Sequence, residues 1–259
     1  MTKKPETDNG DRQFVTALAR GLDILASFDG QHRYLSNAQL ASRTGLAKPT
    51  VSRLTHTLME TGHLIRQPDT GEYRLGANVL RLGHGALSSM SVTELCRPEM
   101  EALSAGPNPY VTVALAERAG NRAIYLASVQ STQAVTLSLN VGARLPLFYS
   151  AIGRAILAAM APEERNAVIA LGIAEFPDQK VRIKASIDQS FEEYQKHGYV
   201  SSFGEWKSEI NAIAVPVRSL DGNTLYGLNA GGPAFLVPAD ELKTKYADRL
   251  ITAAKQLGS

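Results

Sequence analysis

Lys48, Thr50, Ser52, Arg53 and Thr57 lie within ten residues of one another, and their types suit the base edges and phosphates of duplex DNA. An arginine can pair bidentately with guanine in the major groove, and hydroxyls reach bases or phosphates. Lys48 and Thr50 stand where a helix would begin, a place that favours phosphate, which leaves Arg53 as the best-placed base reader. Arg66 and Arg74 fall on the two arms of a short hairpin that could flank the minor groove or grip the backbone. Arg20 could touch a phosphate from an earlier helix. His56, on the same outer face as Arg53, reads as a solvated residue.

A second constellation suits an anion. Ser150, Ala151, Ile152 and Gly153 open a helix after Pro146-Leu147. The first turn of a helix has free N–H groups and the positive end of the dipole, both favourable to a carboxylate. Small residues there permit close approach.

Nothing comparable supports catalysis. A nucleophile needs a base beside it, and the C-terminal part has one histidine, His197, in a helix-to-strand turn. Cys96 is the single cysteine and lies on an apolar stripe, where it reads as buried and inert. No His/Cys/Asp spacing suits zinc, and Gly231-Gly232-Pro233 is too short for a phosphate-binding loop. Glu163-Glu164 and Glu192-Glu193 read as solvated. The expectation is a protein that is not an enzyme and has no cofactor or metal.

Local signals position both constellations. Ser36 with Gln39 forms a capping box, and Leu35 and Leu40 flank it as a hydrophobic staple. Gly45 can take the left-handed conformation that ends a short helix, and Pro49 is preset for the first turn of the next. Val51, Leu54 and Leu58 then face a core, and Gly62 ends the helix. Pro68-Asp69-Thr70-Gly71 turns a hairpin whose arms are 63–67 and 72–75. A preceding helix over 14–28 has Val15, Leu18, Leu22 and Leu25 on one face and is broken at 29–31. Three helices and a hairpin make a winged helix-turn-helix.

Beyond it, 77–104 reads as helical, interrupted at 88–91, with Pro98 delimiting the second segment. Strands are expected at 111–115, 123–129, 134–140, 212–218 and 224–230, and helices at 151–160, 162–171, 185–197 and 238–257. Strands at both ends with helices between give an α+β domain built on one antiparallel or mixed sheet.

The chain has 259 residues, 44% of them hydrophobic and 20% charged, with a net charge of +2. The charge is unevenly placed, with a net of +4 over residues 12–90 and −1 over 91–259. The basic excess sits where phosphate contacts need it. With no apolar run long enough to span a bilayer, no signal-like N-terminus and no intrachain disulfide possible, a cytoplasmic protein without a membrane partner is expected. The expected organisation is a disordered tail over 1–11, a winged helix-turn-helix over 12–76, a linker helix over 77–91 and an effector-binding domain over 92–259.

Several motifs together resemble the IclR family of bacterial transcription regulators: ARGLDIL at 19–25, TGLAKPTVSRL at 44–54 and GEYRLG at 71–76. GARLPL at 142–147 followed by SAIGRA at 150–155, then AIAVPV at 212–217 and GGP at 231–233, resemble its effector domain. The resemblance implies a winged helix-turn-helix joined by a linker helix to a GAF-like effector-binding domain. It also implies a homodimer or homotetramer on a double-stranded DNA operator, and a small carboxylate or aromatic acid as effector.

It further implies that Ala151 and Ile152 line the effector pocket, joined by Ser202, Ile210, Ala212, Asn229 and Gly231 from the later strands. Here the chain departs from the family pattern. Ser202 stands at a position often acidic, Ala212 at one often cysteine, Phe148 at a frequent histidine, and Asn229 and Gly231 where serines are common. Phe148, Tyr149 and the small Ala212 and Gly231 point to a roomier, more apolar pocket for an aromatic acid, or the two aromatics are simply core. The function expected is a ligand-responsive regulator of a catabolic operon. An architectural DNA binder without an effector, or an enzyme with an attached DNA-binding domain, are the alternatives.

Overall fold

The structure is a computed structural model, described here over residues 13–29, 32–131, 133 and 139–258. The tail expected over 1–11, the break at Gly30-Gln31 and most of the strand expected over 134–140 lie outside these residues. The chain divides into two compact units, Met1–Ser89 and Met90–Ser259.

The first unit begins with α1 (Thr16–Leu25), α2 (Asn37–Thr44) and α3 (Lys48–Glu60). Ser36 caps α2 by accepting from the Gln39 N–H, while the Gln39 side chain accepts from the Ser36 N–H in return. Gly45 follows at φ 70°, the left-handed conformation that lets the chain turn straight into α3. β1 (Leu64–Arg66) and β2 (Tyr73–Leu75) pair antiparallel as the wing. Leu35 bridges to Tyr73 on the wing's other side. Ile24, Phe28, Leu35, Leu40, Val51, Leu64 and Tyr73 form the core, and Leu54 and Leu58 pack against it half-buried. Thr55 is also buried, its hydroxyl donating to the Ser52 carbonyl. α4 (Ala77–Ser88) follows and buries no residue.

α1 differs from expectation in which face it buries. Ile24 is enclosed, with Leu25 and Phe28 beside it, but Val15, Leu18 and Leu22 are 60, 63 and 55% exposed. Of the four residues expected on one face, Leu25 alone packs against the core, and Val15, Leu18 and Leu22 point outward.

The second unit starts with α5 (Ser91–Leu95) and α6 (Arg97–Ser104), the latter with Pro98 in its first turn. Its sheet comprises β3 (Thr112–Ala119), β4 (Arg122–Val129), β5 (Arg144–Pro146), β6 (Val200–Phe203), β7 (Ile210–Arg218) and β8 (Leu225–Pro233). The order is β5-β4-β3-β8-β7-β6, and every neighbouring pair is antiparallel. β5 and β6 are short edge strands that alternation in the sequence does not announce. α7 (Ala151–Ala159), α8 (Pro162–Glu175) and α9 (Lys180–His197) lie between β5 and β6 in the chain. α10 (Ala239–Glu241), a π-helical turn over Leu242–Tyr246 and α11 (Ala247–Leu257) close it.

Side chains alternate across a sheet. One face, with Ala114, Ala116, Ala212 and Ala214, is covered by α7. The other, with Val113, Leu115, Ile213, Val215 and Leu228, is equally buried, and α6 and α11 pack there. Small residues let α7 approach closely. A Cβ at Gly227 would lie 2.7 Å from Ile152 Cγ1 and 2.8 Å from the Ile152 carbonyl oxygen.

Candidate functional site

In the first unit, Lys48, Ser52, Arg53 and Thr57 are exposed on the side of α3 away from Val51 and Thr55, and Thr50 is half-buried beside them. The side chains of Lys48 and Arg53 form no hydrogen bond or ion pair with the described residues, so both head groups are available to an outside partner. The Ala47 N-cap offers no side-chain bond, which leaves the first N–H groups of α3 open as well. Ser52 accepts from Asn37 Nδ2 at 2.8 Å, tying the start of α2 to this face. Thr57 donates to the Arg53 carbonyl at 3.2 Å. Arg20 is exposed on α1.

The wing arginines are not brought together. Arg66 pairs with Tyr73 and Arg74 with Ile65, so the two side chains leave opposite faces of the hairpin. Arg66 is exposed and its Nε donates to the Gly71 carbonyl, whereas Arg74 is half-buried with Nη1 donating to the Leu75 carbonyl.

In the second unit a small, partly open cavity lies between the start of α7 and the sheet. Ser150, Ala151, Ile152, Ser202, Ile210, Ala212, Asn229 and Gly231 line it. Thr112, Tyr125, Leu139, Leu145 and Trp206 complete the wall and were not singled out from the sequence. Strand register explains the grouping. Ser202, Ala212, Gly231 and Thr112 form one row across four strands, hence one face, and Asn229 lies two residues along β8 on that face. Tyr125 joins them because a β-bulge between Leu115 and Ala116 shifts β4 relative to β3.

Gly153 does not line the cavity. A Cβ there would sit 2.3 Å from the Leu147 carbonyl oxygen, and its N–H is taken by the Ser150 hydroxyl. Its small size serves the packing of α7 under the preceding turn. Phe148 and Tyr149 also stand elsewhere. The Phe148 ring is buried against Gly172, and the Tyr149 hydroxyl donates to Gln179 Oε1 at 2.8 Å. Between the two readings of these aromatics, they belong to the core and its edge.

The cavity is electrically neutral, since none of its lining residues is charged. At one end Ser150 caps Gly153, so the N–H groups of Ala151 and Ile152 are the ones α7 leaves open. Ser150 and Ser202 spend their own protons on the Pro146 and Tyr149 carbonyls. On the sheet, Asn229 Nδ2 donates to the Tyr125 hydroxyl at 3.3 Å. Burial pushes the Tyr125 phenol up to about 12, and the Asn229 bond pulls it partly back, so it stays protonated at neutral pH. Such a site can hold one anion at the helix start against an apolar and neutral-polar wall.

Among the described residues no cluster of His, Cys, Asp and Glu could hold a metal ion, and no helix is long and apolar enough to cross a membrane. Cys96 is buried, which pushes its thiol up to about 11.

Both units match known proteins. The family profile for the IclR helix-turn-helix domain matches residues 17–68, and that for the bacterial transcriptional regulator IclR C-terminal domain matches residues 84–259. The HTH-type transcriptional regulator TsaQ1/TsaQ2 of Comamonas testosteroni is 30% identical, covering 89% of this chain and 82% of its own length. A crystal structure of an IclR family transcriptional regulator from Brucella abortus superposes with a TM-score of 0.87 at 36% identity, covering 98% of this chain and 95% of that one. An IclR homologue from Microbacterium hydrocarbonoxydans, complexed with 4-hydroxybenzoate, gives 0.69 at 25% identity, covering 93% and 97%. With a winged helix-turn-helix whose α3 face is free, a six-stranded sheet closing a neutral cavity, and matches along nearly the whole of its length, the chain belongs to the IclR family of DNA-binding transcription regulators and is not an enzyme.

Proposed function

We propose that this regulator reads its operator with α3 and is governed by a small organic acid, aromatic acids foremost, held in the cavity of the second unit. The observation that carries the reading is the neutral cavity with the open N–H groups of Ala151 and Ile152 at one end. A carboxylate is the anion those groups and the helix dipole favour. Tyr125 and Trp206 supply aromatic surface, and the 4-hydroxybenzoate complex of the Microbacterium relative supports an aromatic acid as the class.

On DNA, Arg53 reads a base, Lys48, Thr50, Ser52 and Thr57 contact bases or phosphates, Arg20 touches a phosphate, and Arg66 and Arg74, on opposite faces of the wing, flank the minor groove or grip the backbone. Residues 12–76, 77–91 and 92–259 serve as reading head, linker helix and effector domain. The exposed stripe of Phe14, Val15, Leu18 and Leu22 on and before α1 supports a homodimer or homotetramer, because a second copy would cover it. Two such heads on a two-fold axis read half-sites about 10 base pairs apart, or a multiple of that. The regulator would control a catabolic operon in the cytoplasm.

Gel shifts on the DNA upstream of its own gene, with aromatic and short aliphatic acids, test this. At least one acid should change DNA affinity several-fold and raise the melting temperature. DNA binding that no acid alters would favour an architectural DNA binder instead.

A further inference from the structure

Asn229 is 7% exposed, lines the cavity, and its Oδ1 has no hydrogen-bond partner. A buried unpaired amide oxygen costs free energy that a bound group can recover. Its Nδ2 donates to the Tyr125 hydroxyl, so that hydroxyl still has its own proton to give. Turning the amide over changes the parts but not the sum, because Tyr125 would then donate to Oδ1 and leave Nδ2 and a phenol lone pair unfilled. Either way the Asn229–Tyr125 pair presents one open donor and one open acceptor. A hydroxyl is the small group that gives one bond and takes one.

The position is equally informative. Ile152, at the start of α7, packs on Gly227, and Asn229 is the next residue of β8 on the same face, about 7 Å farther along. The second buried orphan atom among the described residues, Ser128 Oγ, falls in the same register row as Asn229, across Ala114. The unmet polarity therefore lies on the sheet, away from the helix start. With no charged residue in the wall, a second carboxylate at this end would have no countercharge.

We propose that the effector is a hydroxy-substituted monocarboxylic acid, with Asn229 and Tyr125 as the specificity-determining pair for its hydroxyl. This rests on the reading that α7 holds the carboxylate.

The test uses the full chain and its single tryptophan, Trp206, which lines the cavity and reports occupancy by fluorescence. The probes are benzoate, its three monohydroxy isomers, the matching methoxy ethers, and phthalate as a dianion. One hydroxy isomer should bind about 10-fold or more tighter than both benzoate and its own ether, because a site built to bond a hydroxyl rejects the analogue lacking it. The ether matters because it accepts without donating. That hydroxyl advantage should collapse in Asn229→Leu and shrink in Tyr125→Phe, each compared as a ratio of two ligands within one variant whose melting confirms folding. Equal binding of benzoate and every hydroxy isomer, or an advantage that survives both substitutions, overturns the assignment while leaving the carboxylate site standing. If no acid of any kind perturbs Trp206 or the melting temperature, the carboxylate reading falls and this assignment with it.

Discussion

The guanidinium of Arg154, 1% exposed, is ion-paired with Glu205, the residue that directly precedes Trp206 on the cavity rim. Arg154 also donates Nε to Ser186 Oγ at 2.9 Å and Nη1 to the Ser201 carbonyl at 2.7 Å, so the start of α7, α9, β6 and the following loop converge on one cation. A buried charge is tolerable only while it is paired and bonded. Glu205→Leu should therefore lower the unfolding free energy by about 2–4 kcal/mol, and Glu205→Asp by less. Urea unfolding followed by circular dichroism checks the size. Trp206 emission should shift to the red in the same variant as its loop loosens. A change under about 0.5 kcal/mol, the range of ordinary surface substitutions, would mean that the pair is not what holds the loop.

Two glycine-to-alanine changes should have opposite signs. At Gly153 the added Cβ would meet Leu147 backbone atoms at 2.3 and 2.6 Å, and backbone cannot step aside cheaply. Gly153→Ala should cost about 3 kcal/mol or leave the chain insoluble. At Gly83, inside α4, nothing lies within 4 Å. Gly83→Ala should be neutral or stabilise that helix by about 0.5–1 kcal/mol. Melting temperatures of the two variants against the parent decide it.

Substitutions on α3 should separate reading from gripping. Arg53→Ala should cost about 1–3 kcal/mol on the operator and little on unrelated DNA, because a base contact is lost. Lys48→Ala should weaken both DNAs alike and flatten the salt dependence by about one unit of slope. Fluorescence anisotropy with operator and scrambled duplexes at several salt concentrations distinguishes them. An Arg53→Ala protein that keeps its discrimination would move the base reading to another residue of α3.

Alkaline pH should unfold the second unit in a defined window. Burial raises the Tyr125 phenol from 10.0 to about 12, so the unfolded chain ionises first. The contribution of Tyr125 is intact below pH 10 and is lost as pH rises from 10 towards 12, amounting to about 3 kcal/mol for two units. Cys96 acts in the same direction from pH 9.0, its thiol raised by burial to about 11. The urea midpoint should hold steady to about pH 9 and fall above it. Tyr125→Phe should reduce the drop between pH 10 and 12 without abolishing it, since Cys96 and the other buried tyrosines titrate in the same direction, and titration of the variant and the parent side by side would show it.

Local chemistry was legible in the sequence where one short stretch contains its own partners. Ser36 and Gln39 cap each other three residues apart, Gly45 needs no neighbour to turn left-handed, and both predicted α2 and α3 closely. The burial of α1 was not legible, because Ile24 with Phe28 and Leu18 with Leu22 have the same helical spacing, and only packing selects between them. β5 and β6 have three and four residues, too few to establish a period. In the cavity, the motif residues around Ser150 were findable, but Trp206 comes from a loop without a motif. Tyr125 lay in an expected strand, yet its facing depends on a bulge that the sequence does not mark. A polar aromatic with the small Ala123 two residues before it was the available signal, since that neighbour on the same face leaves room beside it.

The seat of Ile152 on Gly227 has a mechanical consequence. With the Ile152 carbonyl oxygen 2.8 Å from where a Gly227 Cβ would stand, α7 rests at this point on bare backbone, with no side chain of β8 between them. Close-packed interiors of this kind resist small displacements. The floor of the cavity is thus stiff, while its rim, the segment from Gly204 to Glu209 that bears Trp206, is half-buried to exposed and held through Glu205. The tight side of the cavity is the α7–β8 contact, and its loosely packed side is the Gly204–Glu209 segment between β6 and β7.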